Sequence, residues 1–195
     1  MKRLASILIL IALCCASAAA QWESLRSGDL IFVHDTSGMG LAVQQTTGQY
    51  THVALVERVG DSLYIIDATQ KHGVARRPIE KTFVGYMPLD VYHLAIPFDT
   101  SAVIRRAHNF LGQPYDEAFM HNNGALYCSE LIYECFLDSA SRHLFDAEPM
   151  NWRAADGSIP NYWVEHFQRL DIPIPEGQPG TNPTGISRSP LLKKQ

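Results

Sequence analysis

Short apolar runs separated by turn residues occupy the first half of the sequence and are typical of β-strands. The turn pair Gly60-Asp61 lies between two such runs and predicts a β-hairpin. A polar, glycine-rich stretch at 35–40 precedes an apolar segment at 41–47, which predicts a short helix that ends at Gly48. The predicted strands are 30–33, 51–58, 62–68, 73–75 and 91–95.

Apolar residues at helical spacing dominate the second half of the sequence up to residue 170. The predicted helices are 101–111, 128–143 and 160–170. From Ile172 onward, closely spaced prolines and glycines predict no regular structure, so residues 173–195 form either a disordered tail or an extended strap across the surface. The whole pattern predicts an α+β fold, in which a small antiparallel sheet packs against helices over residues 21–172.

The segment at 1–20 has the organisation of a secretory signal peptide. Lys2 and Arg3 are followed by an apolar run that is too short to span a bilayer as a mature helix. Ala18 and Ala20 then stand at the spacing that a signal peptidase recognises. We therefore expect cleavage after Ala20 and export to the periplasm or to the extracellular space.

Lipoprotein processing is the alternative interpretation of this N-terminus, because Cys14 and Cys15 end the apolar run. Against it, Leu13 is large where a lipobox needs a small residue before the cysteine. Beyond this run, the sequence has no segment that is long and apolar enough to cross a membrane. Both interpretations predict an exported protein.

The composition excludes several classes of protein. With 46% hydrophobic and 18% charged residues, the chain is typical of a globular protein and not of a disordered or collagen-like one. Its formal net charge of −4 provides no basic stripe for the phosphates of a nucleic acid. The sequence lacks HExxH, CxxC, GxSxG and a complete phosphate-binding loop, so we expect no metal, no other cofactor and no serine nucleophile.

Cys128 and Cys135 are the cysteines that follow the predicted signal peptide, and both lie on one predicted helix. Seven residues of helix separate their Cα atoms by about 10.5 Å, whereas a disulfide needs less than about 7 Å. The two thiols therefore cannot pair with each other. Unpaired thiols in an exported protein are a first indication of thiol chemistry.

Cys128 lies in the first turn of this helix, on its apolar face. The unpaired N–H groups and the helix dipole at that position favour a thiolate and could stabilise an oxyanion. Cys128 is therefore a candidate nucleophile, and a small buried hydrophobic residue is the alternative interpretation. Cys135 lies in the middle of the helix on the apolar face, where the buried hydrophobic interpretation is favoured.

His52, one of eight histidines, begins a predicted strand and shares a face with Ala54. The register of the predicted hairpin places Asp67 opposite Ala54 and diagonally next to His52 on that face. A buried carboxylate that holds an imidazole is the third member of a hydrolase triad. Glu57 points to the opposite face and is rejected. A core or edge histidine is the alternative, and the site requires that the Cys128 helix pack against this face of the sheet, which the sequence leaves open.

Several short segments occur in an order and at spacings that resemble a known family. They are GDLIF at 28–32, THVAL at 51–55, IDA at 66–68 with GV at 73–74, LGQPYD at 111–116, YCSELIY at 127–133 and PGTNP at 179–183. Together they resemble the YiiX/YebB-like family. This family is a circularly permuted branch of the NlpC-type, papain-like cysteine hydrolases.

The resemblance implies a permuted papain-like fold with Cys128 as the nucleophile, His52 as general base and acid, and Asp67 as the residue that orients the imidazole. Tyr115 is similar to a tyrosine that positions the substrate carbonyl or its oxyanion beside the Cys128 N–H, and a packing aromatic is the alternative. The tail is then an ordered strap.

For an exported member, the resemblance implies amide bonds in cell-wall (peptidoglycan) peptides as the substrate class. The first alternative keeps the fold and changes the substrate, giving a lipid acyl ester or amide hydrolase or an acyltransferase. The second alternative is a binding module without catalysis.

Overall fold

A computed structural model of the chain describes residues 22–35, 38–83 and 89–195. The predicted signal peptide at 1–20, with Cys14 and Cys15, lies outside the described residues. The strands are β1 (Leu30–Val33), β2 (His52–Val59), β3 (Ser62–Thr69), β4 (Gly73–Pro78), β5 (Leu89–Leu94), β6 (Glu148–Pro149), β7 (Pro179–Gly180) and β8 (Leu192–Lys194). The helices are α1 (Met39–Thr47), α2 (Ile79–Thr82), α3 (Thr100–Asn109), α4 (Cys128–Cys135), α5 (Asn161–Leu170) and α6 (Pro183–Ser187).

Six strands of the described residues form one antiparallel sheet in the order β4-β3-β2-β1-β5-β8. The β2–β3 hairpin has the predicted register, because Leu55 pairs with Ile66 and Val59 pairs with Ser62. β1 lies inside the sheet between β2 and β5, and its four residues are all buried. With helices packed against this sheet, the predicted α+β fold is confirmed.

Alternate side chains of the sheet enter two different hydrophobic cores. One face of β2 carries Val53 and Leu55, which pack with Leu131 of α4. The other face carries Ala54 and Val56, which pack in a second core with residues of β1, β3, β5 and α2. Because both faces are covered, the inner strands are continuous apolar runs instead of alternating ones.

The helix predicted at 128–143 is wrong in its length, because α4 ends at Cys135. The carboxylate of Asp138 accepts the backbone N–H groups of Ala140 and Arg142 and pairs with the Arg142 Nε at 2.8 Å. Aspartate side chains that bond to nearby backbone N–H groups stabilise turns in competition with helix. The apolar spacing of this segment therefore continues beyond the point where its hydrogen bonding becomes that of a turn.

The other predicted helices are confirmed with small shifts at their ends. α3 and α5 lie within two residues of the predicted 101–111 and 160–170, and α1 begins two residues before the predicted start at 41. Each helix within the described ranges is too short or too polar to span a lipid bilayer.

The tail at 173–195 packs against the sheet and contains regular structure, which corrects the prediction of none. Asn182 caps α6 by accepting the N–H of Gly185 at 2.7 Å. Pro183 occupies the first turn of α6, where a missing N–H leaves no helical hydrogen bond unmade. β8 then pairs with β5 and extends the sheet by one strand. The prolines therefore stand where short elements tolerate them.

Gly73 begins β4 in the left-handed region, at a φ of 61°, where it lies against the backbone of a neighbouring segment. A Cβ at this position would lie 2.3 Å from the carbonyl oxygen of Gln113. We expect Gly73→Ala to lower the free energy of unfolding by about 2–4 kcal/mol, because left-handed strain adds to steric overlap.

Gly60→Ala is the matched control for this prediction. Gly60 has a φ of 58°, and a Cβ there would meet no heavy atom within 4 Å. Only the backbone strain of about 1–2 kcal/mol then applies. Urea titration of the two variants measures the difference, and equal losses would contradict the close approach at Gly73.

Candidate active site

The candidate site lies at one end of the main sheet. Since neighbouring strands are antiparallel, β1 and β3 end where β2 and β4 begin, and Val33 at the end of β1 pairs with His52 at the start of β2. The Cys128 thiol at the start of α4 lies within hydrogen-bonding reach of the His52 imidazole. The structure therefore brings together two residues that are far apart in the sequence.

Cys128 is the first residue of α4 and is 7% exposed. The N–H of the preceding residue, Tyr127, donates to the carboxylate of Glu130 at 3.4 Å, which stabilises the first turn of the helix. N–H groups of a first turn have no acceptor within the helix, so they can bind a developing negative charge. Cys128 and Cys135 are both free thiols, as their spacing predicts. Burial raises the pKa of the Cys135 thiol, so that it stays protonated.

His52 lies between Cys128 and Asp67. Its Nε2 is 2.8 Å from Oδ2 of Asp67, and the ring also lies close enough to Cys128 for the two side chains to interact. Burial alone would lower the pKa of His52, but the electrostatic interaction with Cys128 and the hydrogen bond to Asp67 raise it to about 10. The imidazole is therefore protonated at neutral pH and can form an ion pair with a thiolate.

Asp67 is 1% exposed and is held by Arg77 as well as by His52. The Nη2 of Arg77 donates to both carboxylate oxygens, at 2.7 Å to Oδ1 and 2.6 Å to Oδ2. Burial would raise the pKa of Asp67, but the hydrogen bonds to His52 and Arg77 and their positive charges lower it. The carboxylate therefore stays ionised and determines which imidazole nitrogen carries the bridging proton.

Arg77 is a residue that the sequence prediction misses. The predicted strand at 73–75 stops short of it, whereas β4 continues through it. In the observed register, Asp67 pairs with Ala75 and Ile65 pairs with Arg77. Alternation then places Arg77 and Asp67 on one face as diagonal neighbours. The signal for this pair was the pairing of β3 with β4, which had to be continued two residues beyond the predicted end of β4 at Ala75.

Glu57, the carboxylate that alternation rejects, has other partners. Its buried side chain accepts hydrogen bonds from the Arg76 Nε and from the His108 Nε2, the latter at 3.0 Å. The Arg76 guanidinium also stacks on the ring of Tyr64, 3.3 Å from its centroid. Glu57 therefore belongs to a separate ion-pair group and not to the group around Cys128.

The helix that carries Cys128 packs on the opposite face of the sheet from the one that alternation assigns to His52. Cys128 lies in the core that contains Val53 and Leu55. Ala54, which shares a face with His52, belongs to the other core. His52 still interacts with Cys128, and it does so from the first position of β2, at the end of the strand.

Tyr115 lies beside Cys128 and lines the same cleft. Burial and the negative charge of Cys128 raise the pKa of Tyr115 well above its usual value. The hydroxyl therefore keeps its proton and can donate a hydrogen bond to an oxyanion. The Tyr115 ring also packs edge-on against Phe119, with 6.2 Å between the centroids. The residue thus makes a packing contact and offers a donor at the site.

Residues 179–183 of the tail hold both neighbours of the cysteine. The backbone N–H of Thr181 donates to the Tyr127 hydroxyl at 3.0 Å, and the Thr181 hydroxyl donates to the Ser129 hydroxyl at 3.2 Å. All three of these side chains are buried. Thr181 had no predicted role, and the signal for it in the sequence was the PGTNP motif of the tail.

A cavity of about 580 Å³ opens at Cys128. Part of its lining is apolar and comes from Met39, Val43 and Met150, which lie over the buried Trp152 and Trp163. Another part is polar and comes from the turn between β3 and β4 and from the tail. The cleft is therefore large enough for a substrate that carries both apolar and polar groups.

A helix-borne cysteine that faces a histidine at the end of an antiparallel sheet defines the papain-like class of cysteine hydrolases, here with the histidine strand before the cysteine helix. Residues 24–194 match the family model described as permuted papain-like amidase enzyme, YaeF/YiiX, C92 family. The chain belongs to this family and is a cysteine hydrolase of the amidase type.

Two proteins and one solved structure illustrate what this chain is similar to. The uncharacterized protein YiiX of Escherichia coli strain K12 is 20% identical over 197 residues, which cover 95% of this chain and 92% of that protein. Protein OPG091 of variola virus is 29% identical over 119 residues, which cover 56% of this chain and 63% of the viral protein. The crystal structure of metalloprotein yiiX from Escherichia coli O157:H7 has a TM-score of 0.73 at 20% identity and covers 87% of this chain and 96% of that chain, which shows the shared fold.

The description of that crystal structure as a metalloprotein raises the question of a metal site in this chain. In the ranges that the structure describes, no group of three or more histidine, cysteine, aspartate or glutamate side chains could hold a metal ion. The carboxylate nearest to Cys128 and His52, that of Asp67, has both oxygens bonded to Arg77. Within the described ranges, the side chains around Cys128 and His52 therefore offer no ligand set that fits a metal ion.

Proposed function

We propose that this protein is an exported cysteine amidase that hydrolyses amide bonds in cell-wall peptides through Cys128, His52 and Asp67. The observation that carries the proposal is the placement of the His52 ring between the Cys128 thiol and the Asp67 carboxylate. Membership of an amidase family supports the reaction type. The predicted signal peptide supports export, and export makes the cell wall the substrate that such an enzyme meets first.

In the proposed reaction, the Cys128 thiolate attacks the carbonyl carbon of the amide. The carbonyl oxygen becomes an oxyanion and accepts hydrogen bonds from the Cys128 N–H and the Tyr115 hydroxyl. His52 then gives its proton to the amine nitrogen as the carbon–nitrogen bond breaks, which leaves a thioester and a neutral imidazole. Asp67 stabilises the imidazolium before this transfer.

The second half of the proposed reaction restores the enzyme. Neutral His52 takes a proton from a water molecule while the water oxygen attacks the thioester carbon. The carbon–sulfur bond breaks, the acid product leaves, and the Cys128 thiolate again faces a protonated His52. No proton or electron is left over, so the cycle requires only water as a co-substrate.

A lipid acyl amide or ester is the second candidate substrate, and the apolar lining of the cleft favours it. Met39, Val43 and Met150 could contact an alkyl chain beside the nucleophile. Incubation of the purified protein with cell-wall muropeptides and with lipid amides and esters, side by side, separates the two substrate classes. Cleavage of lipids alone would overturn the peptide proposal.

Alkylation by iodoacetamide tests whether the site is active at all. We expect Cys128 of the folded protein to react roughly ten times faster at pH 6–7 than a thiol of the denatured chain, because only thiolates react. Mass spectrometry of the digested protein measures both cysteines in one sample, and the buried Cys135 serves as the internal control. A rate for Cys128 no greater than that of the denatured thiol would leave a binding module without catalysis.

A further inference from the structure

The turn between β3 and β4 overhangs the catalytic end of the sheet. It begins three residues after Asp67, and its residues Gln70, Lys71 and His72 all line the cleft. In the sheet order, β2 lies between β3 and β1. The β3–β4 turn is therefore on one side of His52, and the end of β1 is on the other side. A side chain on the turn is therefore placed to contact a substrate bound at Cys128.

This turn is held rigidly by contacts to a neighbouring segment. The Gln70 amide donates to both carboxylate oxygens of Glu117, at 3.0 and 2.9 Å. The N–H of Val74 donates to the Gln113 carbonyl at 2.9 Å, and the N–H of Gly112 donates back to the Val74 carbonyl at 2.9 Å. The turn therefore presents its exposed side chains from a defined position, which lowers the entropic cost of binding.

Lys71 and His72 are both exposed, and within the described ranges their side chains make no hydrogen bond or ion pair. The other ionisable groups on this side of the cleft are already paired: Asp67 binds Arg77 and His52. Asp35, in the loop after β1, also lines the cleft, on the other side of His52 from the turn. What distinguishes Lys71 from other exposed lysines is that it lines the cleft beside His52 and has no partner there, in a protein of net charge −4.

Glu117 is an acidic residue that contacts the turn, and its partners are Gln70 and His166, not the side chains of Lys71 and His72. Both of its oxygens accept from Gln70, and it also lies 3.8 Å from the Nε2 of His166. Lys71 therefore makes no ion pair with the segment on which the turn rests. Because Lys71 lines the cleft, its charge can interact with a group that binds there.

We propose that Lys71 and His72 form a subsite for a carboxylate of the substrate, so that the enzyme prefers amides with a free carboxylate close to the scissile bond. The inference rests on the proposed amidase function and specifies its substrate class. An ammonium and an imidazole bind a carboxylate through charge-assisted hydrogen bonds, which are stronger in a partly desolvated cleft than on an open surface. The subsite would also disfavour substrates with a positive charge at this position.

Two synthetic peptides of one sequence test the subsite, the first with free carboxylates and the second with those carboxylates amidated. We expect a kcat/KM about ten times higher for the first peptide. The difference is expected to come from a lower KM, because an interaction remote from the reacting atoms contributes to binding. The preference is expected to fall as salt is added. In Lys71→Gln/His72→Gln the preference for the first peptide is expected to drop to about two-fold or less.

Lys193→Gln is the matched control, since Lys193 is an exposed lysine on β8 at the opposite edge of the sheet from β4. This variant is expected to keep the full preference. A wild-type enzyme without preference, or a double variant that keeps it, would overturn the subsite. Calorimetric binding of both peptides to Cys128→Ala makes the test independent of catalysis. If neither peptide is hydrolysed but the first still binds about ten times more tightly, the proposed reaction fails and the subsite stands.

Discussion

Cys128→Ala is expected to abolish amide hydrolysis and to lower kcat/KM by about 10⁴-fold or more, because the sulfur is the atom that forms the thioester. The change removes only the sulfur from the start of α4 and keeps a residue that favours helix. The contacts of Tyr127 and Ser129 with Thr181 hold the neighbouring residues in place. Hydrolysis is measured on the purified protein beside thermal unfolding, which we expect to show a folded variant.

Cys135→Ala is the control for this variant. It makes the same chemical change on the same helix, at a residue that is fully buried and whose thiol stays protonated. We expect it to lower the free energy of unfolding by about 1–2 kcal/mol through a small cavity and to leave kcat/KM within about two-fold. Equal loss of hydrolysis in the two variants, or activity retained by Cys128→Ala, would remove Cys128 from the role of nucleophile.

Arg77→Gln is expected to lower kcat/KM by about 10²-fold and to move the acid limb of the pH profile to higher pH. The guanidinium binds both oxygens of Asp67 and lowers the pKa of that buried carboxyl together with His52. Without Arg77, burial raises the pKa of Asp67, so the carboxyl takes up a proton at a higher pH than in the wild type. A protonated Asp67 cannot stabilise the His52 imidazolium, and the ion pair with Cys128 is lost.

The lowered pKa of Asp67 also predicts how the free energy of unfolding depends on pH. Because the pKa of Asp67 is lowered in the folded protein, its contribution to stability is present above the ordinary aspartate pKa of about 3.9 and disappears as the pH falls through the folded value. Removal of one partner of a buried ion pair costs about 3–5 kcal/mol. Arg77→Gln is therefore expected to be less stable than the wild type at neutral pH, and activity is measured well below its melting temperature.

Arg76→Gln separates the effect on the site from the loss of stability. Arg76 is the adjacent residue and also pairs with a buried carboxylate, that of Glu57, which has no contact with Cys128. We expect this variant to lose a comparable amount of stability and to keep the wild-type pH profile of kcat/KM. An acid limb that shifts equally in Arg76→Gln and Arg77→Gln would show a general effect of destabilisation, and Arg77 would then have no positioning role.

Local pairings were predictable from the sequence because they depend on residues close together in the chain. The turn at Gly60-Asp61 sets the register of β2 and β3, so that Leu55 pairs with Ile66 as expected. The start of α4 at Cys128 follows from apolar spacing after an extended residue. The end of α4 was not predicted, since the hydrogen bonds of Asp138 compete with an apolar pattern that continues past it.

Features that depend on two segments at once were harder to predict from the sequence. Arg77 was missed because its pairing with Asp67 requires the length of β4 as well as the register of the hairpin. The proline-rich tail was expected to lack regular structure, yet the cap of α6 by Asn182 and the free edge of β5 give it a helix and a strand. Composition alone does not show that such a segment has a surface to pair with.

The chain by itself determined the β2–β3 register and the place of Cys128 at a helix start, because backbone hydrogen bonds and turn geometry act over a few residues. Only the tertiary structure decided that the Cys128 helix packs on the face of Val53 and Leu55 and still meets His52. That meeting depends on where β2 begins relative to α4. It is set by the packing of two cores, whose contacts join residues distant in sequence.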